Sequence, residues 1–289
     1  MTANRISISA CTTWHVGFAD DLKLYRKAGA DGIGLWERKL PEKQDEQSLQ
    51  LLQDSGLSVS VCFSTVASVL PTVLWPVPTD HDQRVLEMCR HVERLAQFHP
   101  DSVAILTGRR GERTASEARQ LVVEGMREVA ATARRLNVPL VLEPLRAGPE
   151  ILVSTIHEAV QLIEEVGAGN VGVLADAWHL WDQPQLRDDV RNHRDRIWAV
   201  QLNDTRTPNR GWSDRVLPGD GSIDLIAFVR LMDEFGYSGW YDVEILSGEG
   251  TLENEYPDSL WKLDPGYLTT EAVRRVHALL KGARSHDNR

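Results

Sequence analysis

The chain has 289 residues, of which 42% are hydrophobic, 26% charged and 7% aromatic, with 21 Gly and 13 Pro. That composition excludes wholesale disorder, a collagen-like repeat and a disulfide scaffold, and the length holds one large α/β domain or two small ones. Lys and Arg total 32 against 42 Asp and Glu, a formal net charge of -10, and this balance argues against nucleic acid, whose binding needs a positive footprint to displace counterions.

Three cysteines, Cys11, Cys62 and Cys89, are odd in number and form no CxxC pair. They read as reduced residues of a cytoplasmic protein. The opening MTANRISISA lacks the apolar core of a signal peptide, and no apolar run approaches the ~20 residues that span a bilayer. A soluble cytoplasmic protein with no membrane partner is expected.

Along the chain, short β-branched or apolar runs alternate with helical patterns. The runs fall at 5–10, 32–36, 57–63, 102–107, 138–144, 171–176, 197–203 and 240–246. Several are almost continuously apolar, as parallel strands covered on both faces must be. Helical periodicity falls near 19–29, 45–55, 81–98, 113–137, 155–166, 186–195, 223–236 and 269–282. Thr155 followed by Glu158 is a capping-box pattern, and Gly29, Gly56, Gly167 and Gly236 follow helix ends, where a left-handed residue is wanted. Eight β-then-α units predict a single-domain (β/α)8 TIM barrel over 1–289, with a polar tail from about 283. A doubly wound open sheet is the alternative.

Two connections are longer than the fold requires, 64–79 after strand 3 and 247–268 after strand 8. Both emerge on the C-terminal face, where barrel enzymes hold their sites. The first carries Leu70, Leu74 and Trp75, suiting a lid or the contact of a homo-oligomer.

The late strands end in polar groups where burial calls for apolar ones: Glu143 in PLVLEP, Asp176 in VGVLAD, Gln201 in AVQLND and Glu244 in YDVEIL. Each alone is read as salt-bridged. Together on consecutive strands they form a four-oxygen set, and buried carboxylates converging on one mouth require a cation. Oxygen ligands favour one divalent metal ion of the Mn²⁺ or Mg²⁺ type, with Co²⁺ or Zn²⁺ as alternatives. His179, in DAWHLW, reaches the same mouth. Arg215 opens RVLPGDGSID, whose GDG is a weak phosphate-binding signal and more commonly a tight turn.

The segments GADGIGLWERKL, VLEPL, DAWHLW, QLND, RVLPGDGSID and DVEIL, in that order, resemble the xylose isomerase-like sugar isomerase and epimerase barrels. The resemblance covers essentially the whole chain. It implies that Glu143, Asp176 and Glu244 bind one divalent metal with a strand-7 residue, and that His179 and Arg215 contact substrate oxygens. The strand-7 ligand in the family is often His. Here the matching residue is Gln201, as in dehydratase-type relatives.

The chemistry implied is proton abstraction beside a polarised carbonyl of a keto-sugar or inosose, with Glu143 and Glu244 as the two proton-transfer groups and His179 as an acid. Return of the proton to the opposite face gives epimerisation, and return to the neighbouring carbon gives isomerisation. Loss of a β-hydroxyl gives dehydration, of an inosose or a dehydroshikimate-like acid. A barrel that binds metal or sugar without catalysis is a further alternative, and a nuclease of the endonuclease IV type lacks its histidines and basic rim here. Trp14, Trp36 and Trp178 are candidate stacking surfaces for a sugar or cyclitol. His15, Glu37, Arg146, Thr107 and Arg109 are weaker site candidates.

Overall fold

The computed structural model describes residues 4–284 apart from 251 and 253. Eight parallel strands close into a barrel: β1 Arg5–Ser9, β2 Gly32–Trp36, β3 Ser58–Ser68, β4 Ser102–Leu106, β5 Leu140–Leu142, β6 Val171–Asp176, β7 Ile197–Leu202 and β8 Trp240–Val243. Each strand pairs with its sequence neighbours, and β1 with β8 closes the ring through Arg5↔Trp240 to Ile8↔Val243. The alternation of elements therefore gives the barrel and not the open sheet. Almost every strand residue is buried, because the barrel interior and the outer helices cover both faces.

The helices around the barrel are α1 Phe18–Ala28, α2 Asp45–Ser55, α3 His81–Ala96, α4 Ala115–Arg135, α5 Ile156–Val166, α6 Leu186–His193, α7 Leu225–Glu234 and α8 Pro265–Arg284. Thr155 and Glu158 form the expected reciprocal capping box at α5. Gly167 ends that helix at φ 72°, a left-handed turn that a side chain would strain. The outer ring closes where α8 packs against α1 and α7. None of the helices among the described residues is long and apolar enough to cross a membrane.

Several boundaries differ from the sequence reading: the strands expected at 138–144 and 240–246 are only Leu140–Leu142 and Trp240–Val243. Strand β3 runs on to Ser68, because beyond a register shift after Phe63 it pairs again with Leu106 of β4. The connection that follows is therefore shorter than 64–79. Helix α8 begins at Pro265, a favoured first helical residue, so the last connection is also shorter. The same helix takes in 283 and 284, and the rest of the expected polar tail lies outside the described residues. A small antiparallel ribbon, Asp204–Thr205 with Arg215–Val216, was not foreseen and rises from the end of β7.

Candidate active site

Strand register brings the polar residues together. Gln201 of β7 lies beside Asp176 of β6 on one side and Asp242 of β8 on the other. Residues two apart on a strand share a face, so Asp242 and Glu244 both turn inward, one level apart. Glu143 follows β5, its backbone N–H bonded to the carbonyl of Ile105 on β4. Glu143, Asp176, Gln201 and Glu244 are all buried.

Arg215, from the ribbon, ties the acids together. Its Nη1 lies 2.9 Å from Oδ2 of Asp176 and 2.9 Å from Oε2 of Glu244. Burial disfavours the guanidinium charge, but Asp176, Glu244 and Glu143 outweigh it and raise the Arg215 pKa. Burial, followed by the Glu244 and Asp176 charges, pushes Glu143 well above the usual carboxylate range despite Arg215. Burial likewise raises Glu244 to about 7, with Arg215 pulling the other way.

His179 sits in a helical turn, Ala177–Leu180, that Asp176 caps through the N–H of Trp178 at 2.9 Å. Its Nε2 is 3.5 Å from Oε1 of Glu143 and 3.8 Å from Oδ2 of Asp176. Burial lowers its pKa to about 4, with Arg215 and Arg146 adding to the shift and Asp176 opposing it. The ring is therefore neutral near pH 7. Glu143, Asp176 and His179 together place ligand atoms within 4.8 Å of one another, a group that could hold a metal ion.

Other polar atoms point to a cation as well. Gln201 donates through Nε2 to Oε1 of Glu244 at 3.0 Å and to Oδ2 of Asp242 at 3.2 Å. Two carboxylates on one side fix the amide with its nitrogen toward them, and Oε1 of Gln201 is left buried without a partner. Among the described residues, six buried side-chain atoms lack a partner, and four of them belong to Trp178, Gln201, Asn203 and Arg215. Buried polar groups are normally satisfied; Oε1 of Gln201 and Oδ1 of Asn203 are acceptors that a cation could use, whereas Nε of Arg215 and Nε1 of Trp178 are donors that suit ligand oxygens. Three carboxylates and an amide oxygen fit a hard divalent cation.

A cavity of about 400 Å³ opens above these groups, lined at its floor by Glu143, His179, Arg215 and Glu244. Trp36 and Trp178 line it as well. Trp14 does not, contrary to expectation: the Arg38 guanidinium lies 3.6 Å over its ring and Trp261 stacks at 5.0 Å, so it packs loops together. His15 pairs with Glu249 at 2.8 Å in the same loop cluster.

The weaker candidates divide. Glu37 is buried and accepts from His91, Arg94 and the N–H of Thr65, so its role is structural. Burial alone would raise it, but those bonds bring its pKa below the usual value. Arg146 and Arg109 line the cavity and pair with Asp182 and Glu150. Thr107 is buried and bonds the carbonyl of Gly108.

The glycine-rich loop holds no phosphate cradle. Asp204 accepts from the N–H groups of Gly219, Gly221 and Ile223, each at 3.0 Å, so the donors that an anion would need are already used.

Sequence reasoning missed Asp242, Asp204, Trp212 and, apart from Arg146, the 145–151 wall of the cavity. The first was within reach: strand alternation places it on the same face as Glu244.

A closed parallel barrel with acids on strands 5, 6 and 8 at its C-terminal mouth has the layout of a barrel enzyme. The sequence profile described as a xylose isomerase-like TIM barrel matches residues 22–266, and the chain belongs to that family. An inosose isomerase from Halalkalibacterium halodurans is 29% identical over 138 residues, 46% of this chain and 49% of the relative. A D-psicose 3-epimerase from Enterocloster bolteae is 24% identical over 184 residues, 63% of this chain and 56% of the relative. The chain thus spans about half the length of these curated relatives. Among solved structures, protein SMc04130 from Sinorhizobium meliloti superposes with a TM-score of 0.81 at 25% identity, covering 94% of this chain and 97% of that one. The IOLI protein with a zinc atom gives 0.79 at 21% identity, covering 97% and 99%.

Proposed function

We propose that the chain is a divalent-metal-dependent isomerase or epimerase of a keto-sugar or inosose, working through proton abstraction beside a carbonyl. The observation that carries this reading is the pair Glu143 and Glu244, both buried and both lining the cavity, with Asp176 beside them. Two carboxylates facing one cavity can act as a proton acceptor and a proton donor toward a substrate carbon acidified by its neighbouring carbonyl. The isomerase and epimerase names of the curated relatives support the same class.

Asp176, Glu143, Glu244 and the free Oε1 of Gln201 would hold the ion. When bound, it would polarise the substrate carbonyl and lower the cost of the charge that develops there. Glu143 and Glu244 divide the proton work, one removing the carbon-bound proton and the other returning one.

His179 acts as a donor. Its Nδ1 accepts the N–H of Arg146 at 2.7 Å, which leaves the proton of the neutral ring on Nε2, facing the acids and the cavity. A ligand nitrogen needs a free lone pair at that position, so Nε2–H serves a substrate oxygen instead. Leu246 and the tryptophans of the lining limit water around the reacting carbon.

A second reading, dehydration of an inosose, is favoured by that same Nε2–H, which is placed to hydrogen-bond a departing hydroxyl while a carboxyl group of the floor supplies the proton. An inosose dehydratase from Geobacillus thermodenitrificans is 31% identical over 107 residues.

Incubation of the Mn²⁺-loaded protein with ketoses and inososes in D₂O, read by proton NMR, tests both. Deuterium appearing beside a carbonyl supports the isomerase. A new olefinic signal moves the assignment to the dehydratase. Silence across the panel with metal bound contradicts both.

A further inference from the structure

Beneath the acids, the barrel interior is polar where packing alone asks for hydrocarbon. Interior layers of such barrels are filled chiefly by branched aliphatic side chains, yet the level below Glu244 holds the buried carboxylate of Asp242. Strand pairing aligns Ser7 of β1, Asp242 of β8, Gln201 of β7 and Asp176 of β6 in one row across four neighbouring strands. Gly34 of β2 makes the room: a Cβ there would lie 2.6 Å from Oδ1 of Asp242 and 2.9 Å from Cα of Ser9. A carboxylate is expensive to bury, and an aliphatic residue would close the barrel as well.

The bonds of Asp242 divide by oxygen. Oδ1 accepts the hydroxyl of Ser7 at 2.6 Å, with the hydroxyl of Ser60 at 3.5 Å. Oδ2 accepts Nε2 of Gln201 at 3.2 Å, and the same Nε2 donates to Oε1 of Glu244 at 3.0 Å. Both hydrogens of the amide are thereby used. Turning the amide over would set its oxygen against two carboxylates, so Oε1 is held the other way, buried and without a partner. Glu244 alone would hold one hydrogen and leave the other unsatisfied. Asp242 lies a level below Glu244 and does not line the cavity, so it reaches the site through Gln201.

A ligating histidine commonly donates its second ring N–H to a carboxylate, which fixes the ring and strengthens metal binding. We propose, on the divalent-metal reading above, that Asp242 does the same for an amide: it is a positioning residue that holds Gln201 with Oε1 toward the ion, and Ser7 in turn holds Asp242.

Mn²⁺ affinity, read from the EPR signal of the free ion and from calorimetry, tests this without a substrate. Asp242→Ala and Gln201→Ala are each expected to weaken Mn²⁺ binding by about 10- to 100-fold. The double variant is expected to bind no more weakly than Gln201→Ala, because Asp242 acts through the amide. Asp242→Asn, whose Oδ1 can accept the same bond while its amide nitrogen donates to Ser7, is expected to recover most of the affinity. A simple loss of negative charge would give neither result. Should Asp242→Ala not fold, Ser7→Ala carries the same comparison, with a smaller loss in the wild-type background and none beside Gln201→Ala. Undiminished affinity in the Asp242 and Ser7 variants, or losses that add in the double variant, overturns the positioning role and leaves the metal site standing. A wild-type protein that takes up no Mn²⁺ overturns the metal reading and this role together.

Discussion

The backbone N–H of Arg146 donates to Nδ1 of His179 at 2.7 Å, and this bond across two barrel loops settles which ring nitrogen carries the proton. With the pKa lowered to about 4 by burial, His179 is neutral and Nε2-protonated over the range in which the acids titrate. Nitrogen-15 NMR of the labelled ring is expected to show that tautomer from pH 5 to 8. His179→Ala, which removes the Nε2–H donor, is expected to lower kcat by about 10²-fold or more with little change in KM. A doubly protonated ring at pH 6 would contradict this.

Arg215 neutralises Asp176 and Glu244 at 2.9 Å each. Removing one partner of a buried ionic cluster typically costs about 3–5 kcal/mol, because the remaining charges stay buried and unpaired. Arg215→Met is therefore expected to lower the stability of the metal-free protein by that order. Mn²⁺ should then restore more of the melting temperature in the variant than it adds to the wild type, because the acids have lost their competing cation. Equal thermal shifts in the two proteins would contradict this placement of the metal.

Asp242 lies under the site, held by Ser7 at 2.6 Å and by Gln201, and burial raises its pKa from 3.8 to about 6. A carboxyl whose folded pKa is raised binds its proton more tightly when folded. Its contribution to stability is therefore greatest below about pH 4 and is lost as pH rises through about 6. A shift of about two units corresponds to about 3 kcal/mol. In the metal-free protein, Asp242→Asn should remove that loss. Urea midpoints at pH 4 and pH 8 are expected to fall less between the two pH values in the variant than in the wild type.

Arg84 is fully buried and meets no carboxylate among the described residues. Its guanidinium instead holds the carbonyls of Ser68, Trp75 and Pro78 and the hydroxyl of Ser68, at 2.6 to 2.9 Å. It thereby fixes the segment that carries Leu74 and Trp75 into the cavity wall. Arg84→Met leaves these acceptors unsatisfied and is expected to cost about 2–4 kcal/mol. Arg84→Lys should recover part of that in denaturant unfolding.

The architecture was legible because each strand and helix carries its own period, and parallel strands covered on both faces read as apolar runs. The acids Glu143, Asp176 and Glu244 stood out against those runs. What escaped is whatever depends on contacts between distant segments. Ser64–Ser68 looks like the start of a loop, yet it continues β3 until Ser68 pairs with Leu106 of β4. Arg84 looks like a polar residue on a helix, yet it serves the loop before it. Trp14 follows β1 toward the mouth, and only the fold reveals that Arg38 and Trp261 occupy its ring. Asp204 reads as part of a turn, and its hold on the 219–223 loop is visible only in three dimensions.

The most direct measurement is deuterium wash-in from D₂O into a turned-over ketone, compared between the wild type, Glu143→Gln and Glu244→Gln, each folded and Mn²⁺-loaded. Loss of a positioned proton-transfer group is expected to slow exchange by about 10²- to 10⁴-fold in each variant. Full exchange and full turnover in both variants would contradict the assignment of Glu143 and Glu244 as the groups that move the proton.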